Sequence, residues 1–222
     1  MACRNLPLEE KIQRCPSRSR IDLRKYRLTD SDMDIVIRQA VFDKQCTLLW
    51  LVENQLTSAS VLLLASSLKS GNVSLEGLSL CHNGISDQAT SHLAQLLSMP
   101  SVRLTRLALT MNEITDRGAQ SLADMLRTNR TLTQLWLGFN RLTDHGVRLL
   151  TSALAEHNST LHVLSLSGNT LMTDASVDGL VAMLDGNATL RMVAVANCNL
   201  SATSKIRLEQ AAKLRGEFYF DL

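Results

Sequence analysis

The chain has 222 residues, a formal net charge of +2, 45% apolar content, and 41 leucines against 10 glycines and 3 prolines. That leucine supply at low net charge excludes a disordered chain. The longest apolar runs, Val61 to Ala65 among them, fall far short of the about 20 residues of a membrane span.

Residues 1–19 carry Arg4, Lys11, Arg14 and Arg18, with Pro7 and Pro16 but no apolar stretch, so no secretory signal is expected. A short helix from Leu8 to Arg14 is expected there, as a polar N-terminal cap. Cysteines at 3, 15, 46, 81 and 198 show no paired spacing and read as reduced thiols in a cytosolic or nuclear setting, with cytoplasmic as the expectation. From residue 20 onward one pattern recurs. A weak copy holds Ile21, Leu23, Tyr26 and Leu28, and the next holds Cys46, Leu49, Leu51 and Asn54. Leu75, Leu78, Leu80 and Asn83 then match Leu104, Leu107, Leu109 and Asn112. Leu132, Leu135, Leu137 and Asn140 come next, then Leu161, Leu164, Leu166 and Asn169, and last Leu190, Val193, Val195 and Cys198. The anchors at 26, 54, 83, 112, 140, 169 and 198 are 28 or 29 residues apart, a repeat period.

Within each unit the period changes. Leu107-x-Leu109 and its equivalents alternate, which predicts a short strand. After the anchor, Ile114-Thr115-Asp116 or Leu142-Thr143-Asp144 supplies capping side chains, and Leu122, Ala123 and Leu126 take helical spacing. Gly118, Gly146 and Ala89 share a slot that predicts close helix–strand packing, and Met172 is an extra residue expected to bulge one turn. Asn129, Asn158 and Asn187 mark the helix ends, where a left-handed asparagine is expected. These three and Asn72 head Asn-x-Ser/Thr sequons eleven residues before an anchor, so the repeat explains them better than glycosylation does; Asn199 is a fifth. Phe218, Phe220 and Leu222 alternate and are expected to cover the last core layer.

Leu-x-x-Leu-x-Leu-x-x-Asn-x-Leu at this period, with a helix per unit, resembles the leucine-rich repeat family. The Leu-Thr-Asp-x-Gly helix start looks like its ribonuclease-inhibitor-like subclass, which includes the sensor regions of nucleotide-binding innate immune receptors and the activator of the Ran GTPase. The resemblance implies an α/β solenoid, or horseshoe, of about seven repeats with a parallel β-sheet on the concave face and α-helices on the convex face. The expected organisation is an N-terminal cap over 1–19, a leucine-rich repeat domain over 20–215 and a closing strand over 216–222. The resemblance also implies that Asn54, Asn83, Asn112, Asn140 and Asn169 form a buried structural ladder, with Cys198 substituting and Tyr26 departing.

Catalytic motifs are missing, and His82, His92, His145, His157 and His162 fall in different repeat phases. No cofactor, metal site or enzymatic activity is therefore expected. Glu53, His82 and Cys81 come together in adjacent repeats, but an open face suits a surface charge ladder better than an activated thiolate. Arg117 and Arg141 fall on loops after strands, as a GTPase-activating arginine would, without an activator motif. Eight Lys or Arg lie in residues 1–27, a solvated cap rather than a nucleic-acid site.

Alternate strand residues point onto the concave sheet. From the second repeat onward these columns hold residues 48, 50, 52; 77, 79, 81; 106, 108, 110; 134, 136, 138; 163, 165, 167; and 192, 194, 196, with Arg106 as their one charge. Trp50 and Trp136 share a column about 14 Å apart. A sheet face with almost no charge and two tryptophans predicts a protein partner, with no nucleic acid and no membrane. Trp50 and Trp136 would anchor it, Val52, Met111 and Phe139 would flank them, and Glu53, His82 and Arg106 would set register. The face lacks the acidic residues that an inhibitor of cationic ribonucleases would need. Two alternatives stand beside this reading: a GTPase-activating regulator of the Ran-activator type, and a sensor segment of a larger immune-type receptor.

Overall fold

The computed structural model describes residues 6–69 and 73–222. Cys3, Arg4 and the sequon at Asn72 lie outside the described residues. Eight three-residue strands form one parallel sheet in chain order: β1 (Arg20–Asp22), β2 (Leu48–Trp50), β3 (Gly77–Ser79), β4 (Arg106–Ala108), β5 (Gln134–Trp136), β6 (Val163–Ser165), β7 (Met192–Ala194) and β8 (Tyr219–Asp221). Each parallel step needs a crossover, and a helix fills it. These are α2 (Met33–Ile35), α3 (Ser58–Leu68), α4 (Asp87–Leu97), α5 (Asp116–Thr128), α6 (Asp144–His157), α7 (Val177–Gly186) and α8 (Ala202–Lys213). Strands stack at about 4.8 Å while helices need about 8–10 Å. The array must therefore curve with the sheet inside, which is the leucine-rich repeat solenoid. The middle residue of each strand from Ile21 through Leu49, Leu78, Leu107, Leu135 and Leu164 to Val193 is buried toward the helices.

Both ends are covered. Helix α1 (Leu6–Arg14) buries Leu8 and Ile12 against a π-helical segment, Val36–Asp43, that continues α2 and buries Val36, Ile37, Ala40 and Val41. Lys44 Nζ donates to the Gln13 carbonyl at 2.8 Å, tying the two together. At the other end β8 pairs with β7, Phe218 is buried, and its ring meets that of Phe220 edge-on at 5.0 Å.

Three ladders of side-chain hydrogen bonds join the repeats. In the first, each anchor asparagine donates to a carbonyl of the preceding repeat and accepts an N–H from the same repeat. Asn140 Nδ2 donates to Leu109 O and Leu137 O, both at 3.0 Å, and Oδ1 accepts from Ile114 N at 3.1 Å. Asn54, Asn83, Asn112 and Asn169 repeat this, reaching Leu23, Leu51, Leu80 and Leu137. Because the bonds run backward, Tyr26 needs no amide of its own and stays exposed. Cys198 still reaches the preceding repeat, Sγ donating to Leu166 O at 3.4 Å.

The second ladder corrects the expectation at the helix ends. Asn129, Asn158 and Asn187 have extended rather than left-handed backbones, with φ of −68°, −112° and −118°. Their buried side chains do the capping: Asn187 Nδ2 donates to Leu154 O and Asn158 O at 2.7 Å, and Oδ1 accepts from Leu190 N at 3.0 Å. Burial keeps these sequons from any glycosylating enzyme while the protein is folded.

The third ladder uses the first-turn aspartates. Asp87 accepts from Thr115 N at 2.8 Å, Thr115 Oγ1 at 2.6 Å and Gly118 N at 3.0 Å. Asp30, Asp116 and Asp144 hold Thr57, Thr143 and Thr173 in the same way. Gly118 therefore makes room for a carboxylate of the neighbouring helix rather than for a strand: a Cβ there would meet Asp87 Oδ1 at 2.7 Å and Ile114 Cγ2 at 2.6 Å. One rung differs. Ser58 stands where the others have Asp and meets Ser86 at 2.8 Å between hydroxyls, and the facing slot holds Ala89, where the aspartate rungs have Gly118 and Gly146 or the bonding Ser60 and Ser176. Met172 also departs from expectation. It is fully buried in the slot of Leu142, and Leu171 is the residue pushed out, 55% exposed.

Two predictions concern this third ladder. Ser58→Asp with Ala89→Ser supplies the carboxylate and hydroxyl that pair at Asp30–Ser60 and Asp144–Ser176, so the double variant should exceed the sum of the single effects by about 1–2 kcal/mol of stability in urea unfolding. The second concerns acid. Burial opposes ionisation of Asp30 and Asp144, but bonds from Ser60 and Thr57, and from Ser176 and Thr173, outweigh it and hold both below 3.8; the Ser201 backbone N–H acts likewise on Asp174. Stability from these carboxylates is complete above their unfolded value of 3.8 and is lost as pH falls through the lower folded values. Asp144→Asn should flatten that acid limb in a titration followed by circular dichroism.

Candidate partner-binding face

Two rows of side chains cross the concave sheet. One runs Arg20, Leu48, Gly77, Arg106, Gln134, Val163 and Met192, and the next runs Asp22, Trp50, Ser79, Ala108, Trp136, Ser165 and Ala194. Not every position expected to be exposed is so. Gly77, Gly138, Ser165 and Ala194 are buried, because their short side chains lie beneath larger neighbours. A Cβ on Gly77 would meet Leu48 Cδ2 at 2.6 Å.

The small residues form a floor. Trp50 and Leu48 on one side and Trp136 and Gln134 on the other bound a hollow of about 280 Å³ over Gly77, Ser79 and Ala108, which Arg106 also lines. Both tryptophans are half-buried and Arg106 is exposed. Trp50 carries cations that the column rule, begun at the second repeat, passed over. Arg20 lies 4.4 Å from its ring centroid and Arg24 lies 5.0 Å away. Arg24 is also held by Asp22, through Nε to Oδ1 at 2.9 Å and Nη2 to Oδ2 at 2.8 Å. That pairing holds the Asp22 carboxyl below its ordinary value. The missed signal was in plain sight: 20, 22 and 24 stand six, four and two residues before Tyr26, as the later columns do before their anchors.

The other expected contacts occupy a rim set by the backbone. Lys25, Glu53, His82, Met111, Phe139 and Asn197, each just before an anchor position, all have φ between 52° and 63°, and Gly168 has 75°. This left-handed turn costs about 1–3 kcal/mol for a non-glycine residue unless its surroundings fix it. Here each of the first five N–H groups donates to the next repeat, as Glu53 N does to Cys81 O at 3.0 Å and Phe139 N to Ser167 O at 2.7 Å. Glu53 meets Lys25 Nζ at 3.3 Å and His82 Nδ1 at 3.9 Å. Cys81 instead accepts from Ser79 Oγ at 3.4 Å. Met111 and Phe139 are exposed, and the Phe139 ring lies over Gly168, where a Cβ would come within 2.5 Å. The expected residues thus divide in two: Trp50, Trp136 and Arg106 share the hollow, whereas Glu53, His82, Met111 and Phe139 line the rim. Val52 lies between them, half-buried.

Arg117 is not on a loop but in the first turn of α5, and Arg141 is 3.5 Å from Glu113 Oε1. Among the described residues no group of three His, Cys, Asp or Glu is placed to hold a metal, and no helix is long and apolar enough to cross a membrane.

A family model described as Leucine Rich repeat matches residues 104–123, 128–150 and 157–181, three consecutive repeats of this chain. No curated protein matches the chain. Among solved structures it is similar to "Leiomodin-1 Actin-Binding Site 2 (ABS2)", with 20% identity and a TM-score of 0.58 over 68% of this chain and 86% of that one. This likeness is one of fold.

The arginines stacked on Trp50 generate a prediction. In a Trp136→Phe background, under excitation selective for tryptophan, the signal comes from Trp50, and Arg20→Ala/Arg24→Ala should increase its quenching by acrylamide. Each single substitution should cost about 0.5–1 kcal/mol in urea unfolding.

Proposed function

We propose that this chain is a non-catalytic interaction scaffold that binds another protein on the concave face of its repeats. The observation that carries the reading is the hollow between Trp50 and Trp136, floored by residues too small to fill it. Tryptophan is enriched among the residues that dominate binding energy, and a rigid sheet presents it at little entropic cost. Val52, Met111 and Phe139 extend the apolar contact, while Arg106, Glu53 and His82 fix orientation through charge. The actin-binding description of the fold neighbour belongs to that protein; it accords with a protein as the partner class here.

We place the repeats in the ribonuclease-inhibitor-like subclass because full helices of up to 14 residues alternate with strands at a 28–29-residue period. Unpaired cysteine spacing supports a reducing, cytoplasmic setting. We propose divisions at 19 and 215 between cap, repeats and closing strand, supported by helix α1 at one end and strand β8 at the other. Trp50→Ala/Trp136→Ala should abolish capture of partners identified by mass spectrometry with the unaltered chain, with the far-ultraviolet circular dichroism unchanged. Undiminished capture of every partner by the folded double variant would overturn the reading.

A further inference from the structure

The chemistry of the hollow says more about its occupant than that it is a protein. Arg20 and Arg106 lie in one row of the sheet, on β1 and β4, with Leu48 and Gly77 between them. Both are exposed, and among the described residues neither has a carboxylate within ion-pair reach. Arg24 differs, being neutralised by Asp22. Two guanidinium groups without a bonded carboxylate therefore stand three strand spacings apart, about 14 Å: Arg20 flanks the hollow, stacked on Trp50, and Arg106 lines it.

An extended chain places residues i, i+2 and i+4 on one face, with about 13 Å between the outer two. We propose that the hollow takes an extended acidic segment of a partner protein. A bulky apolar side chain at i+2 seats between Trp50 and Trp136, and carboxylates at i and i+4 meet Arg20 and Arg106. Guanidinium groups favour such pairing because their planar fork matches a carboxylate. The stacking of Arg20 on Trp50 holds its charge beside the hollow. A nucleic-acid backbone fits less well, since it needs a continuous basic track and here the two cations are separated by an apolar pair.

This inference rests on the concave-face reading and adds the partner's chemistry, so its test separates the two. A random twelve-residue peptide library is selected on the immobilised full chain and counter-selected on Trp50→Ala/Trp136→Ala. The recovered peptides should be enriched in Asp or Glu two residues to either side of a bulky apolar residue. In fluorescence anisotropy, Arg20→Glu/Arg106→Glu should weaken a labelled acidic peptide by at least about tenfold and gain binding to its lysine-substituted counterpart. Recovered peptides that are neutral or basic, yet depend on both tryptophans, would overturn the acidic occupant and leave the concave-face reading standing. Peptides indifferent to the tryptophans, or no peptides at all, would overturn both. Ten-nucleotide oligothymidylate binding as tightly as the acidic peptide, with loss in the double glutamate variant, would replace a peptide with a nucleic acid.

Discussion

Everything in this structure depends on hydrogen bonds that no repeat can complete alone. A three-residue strand, a turn and one helix leave carbonyls and N–H groups at both ends of the helix and at the strand exit, and leaving these buried without partners costs about 1–3 kcal/mol each. The asparagine after the strand, the asparagine after the helix and the aspartate in the first helical turn close these gaps, each reaching to the repeat next to it. Asn112, for example, joins Leu80 O behind it with Leu109 O in its own repeat and accepts from Ile85 N. The buried leucines supply the driving force, but leucines alone would tolerate many packings. Directional bonds, at three points in each of the junctions that Asn129, Asn158 and Asn187 bridge, leave one.

The same bonds determine what the sheet can display. Left-handed residues at the strand exits are strained in isolation, and they persist because their N–H groups bond the next repeat. Glu53, His82, Met111 and Phe139 are thus presented at fixed positions, one per strand, at no conformational choice of their own. The position accepts side chains as different as those of Lys25, Glu53, His82, Met111 and Phe139 because the backbone, rather than the side chain, is what the neighbour holds. Gly168 is the exception, and there the space is taken by the Phe139 ring.

Much of this was legible in the residues themselves. Seven anchors at a 28–29-residue period identify strand, helix and sheet direction, since periodicity reports which side chains face the core. The failures share a physical cause: they concern contacts between repeats, which a pattern within one repeat does not contain. Gly118 signals that something comes close, but only the register of α4 against α5 makes that something Asp87. The helix-end asparagines looked like backbone devices and prove to be side-chain caps, because their amides have a neighbour's carbonyl to bind. In Leu171-Met172 either residue fits the core, and the choice falls to the residue nearer Thr173, whose own place is fixed by Asp144 at 2.8 Å.

The face itself shows why composition misleads when read one column at a time. Counted from the second repeat, it holds one charge among eighteen positions and reads as apolar. Adding the first repeat introduces Arg20, Asp22 and Arg24 beside Trp50, and pairing then removes one cation and the acid from the balance. What remains is positive only where it borders the hollow. Stability gives little reason for Arg106 or for the floor beside it: an unpaired surface arginine contributes little to folding, and Ser79 and Ala108 forgo burial that larger side chains would provide. A frame this strictly determined leaves few positions free to vary. Those that forgo stability in one connected place are where selection for binding is most economically read.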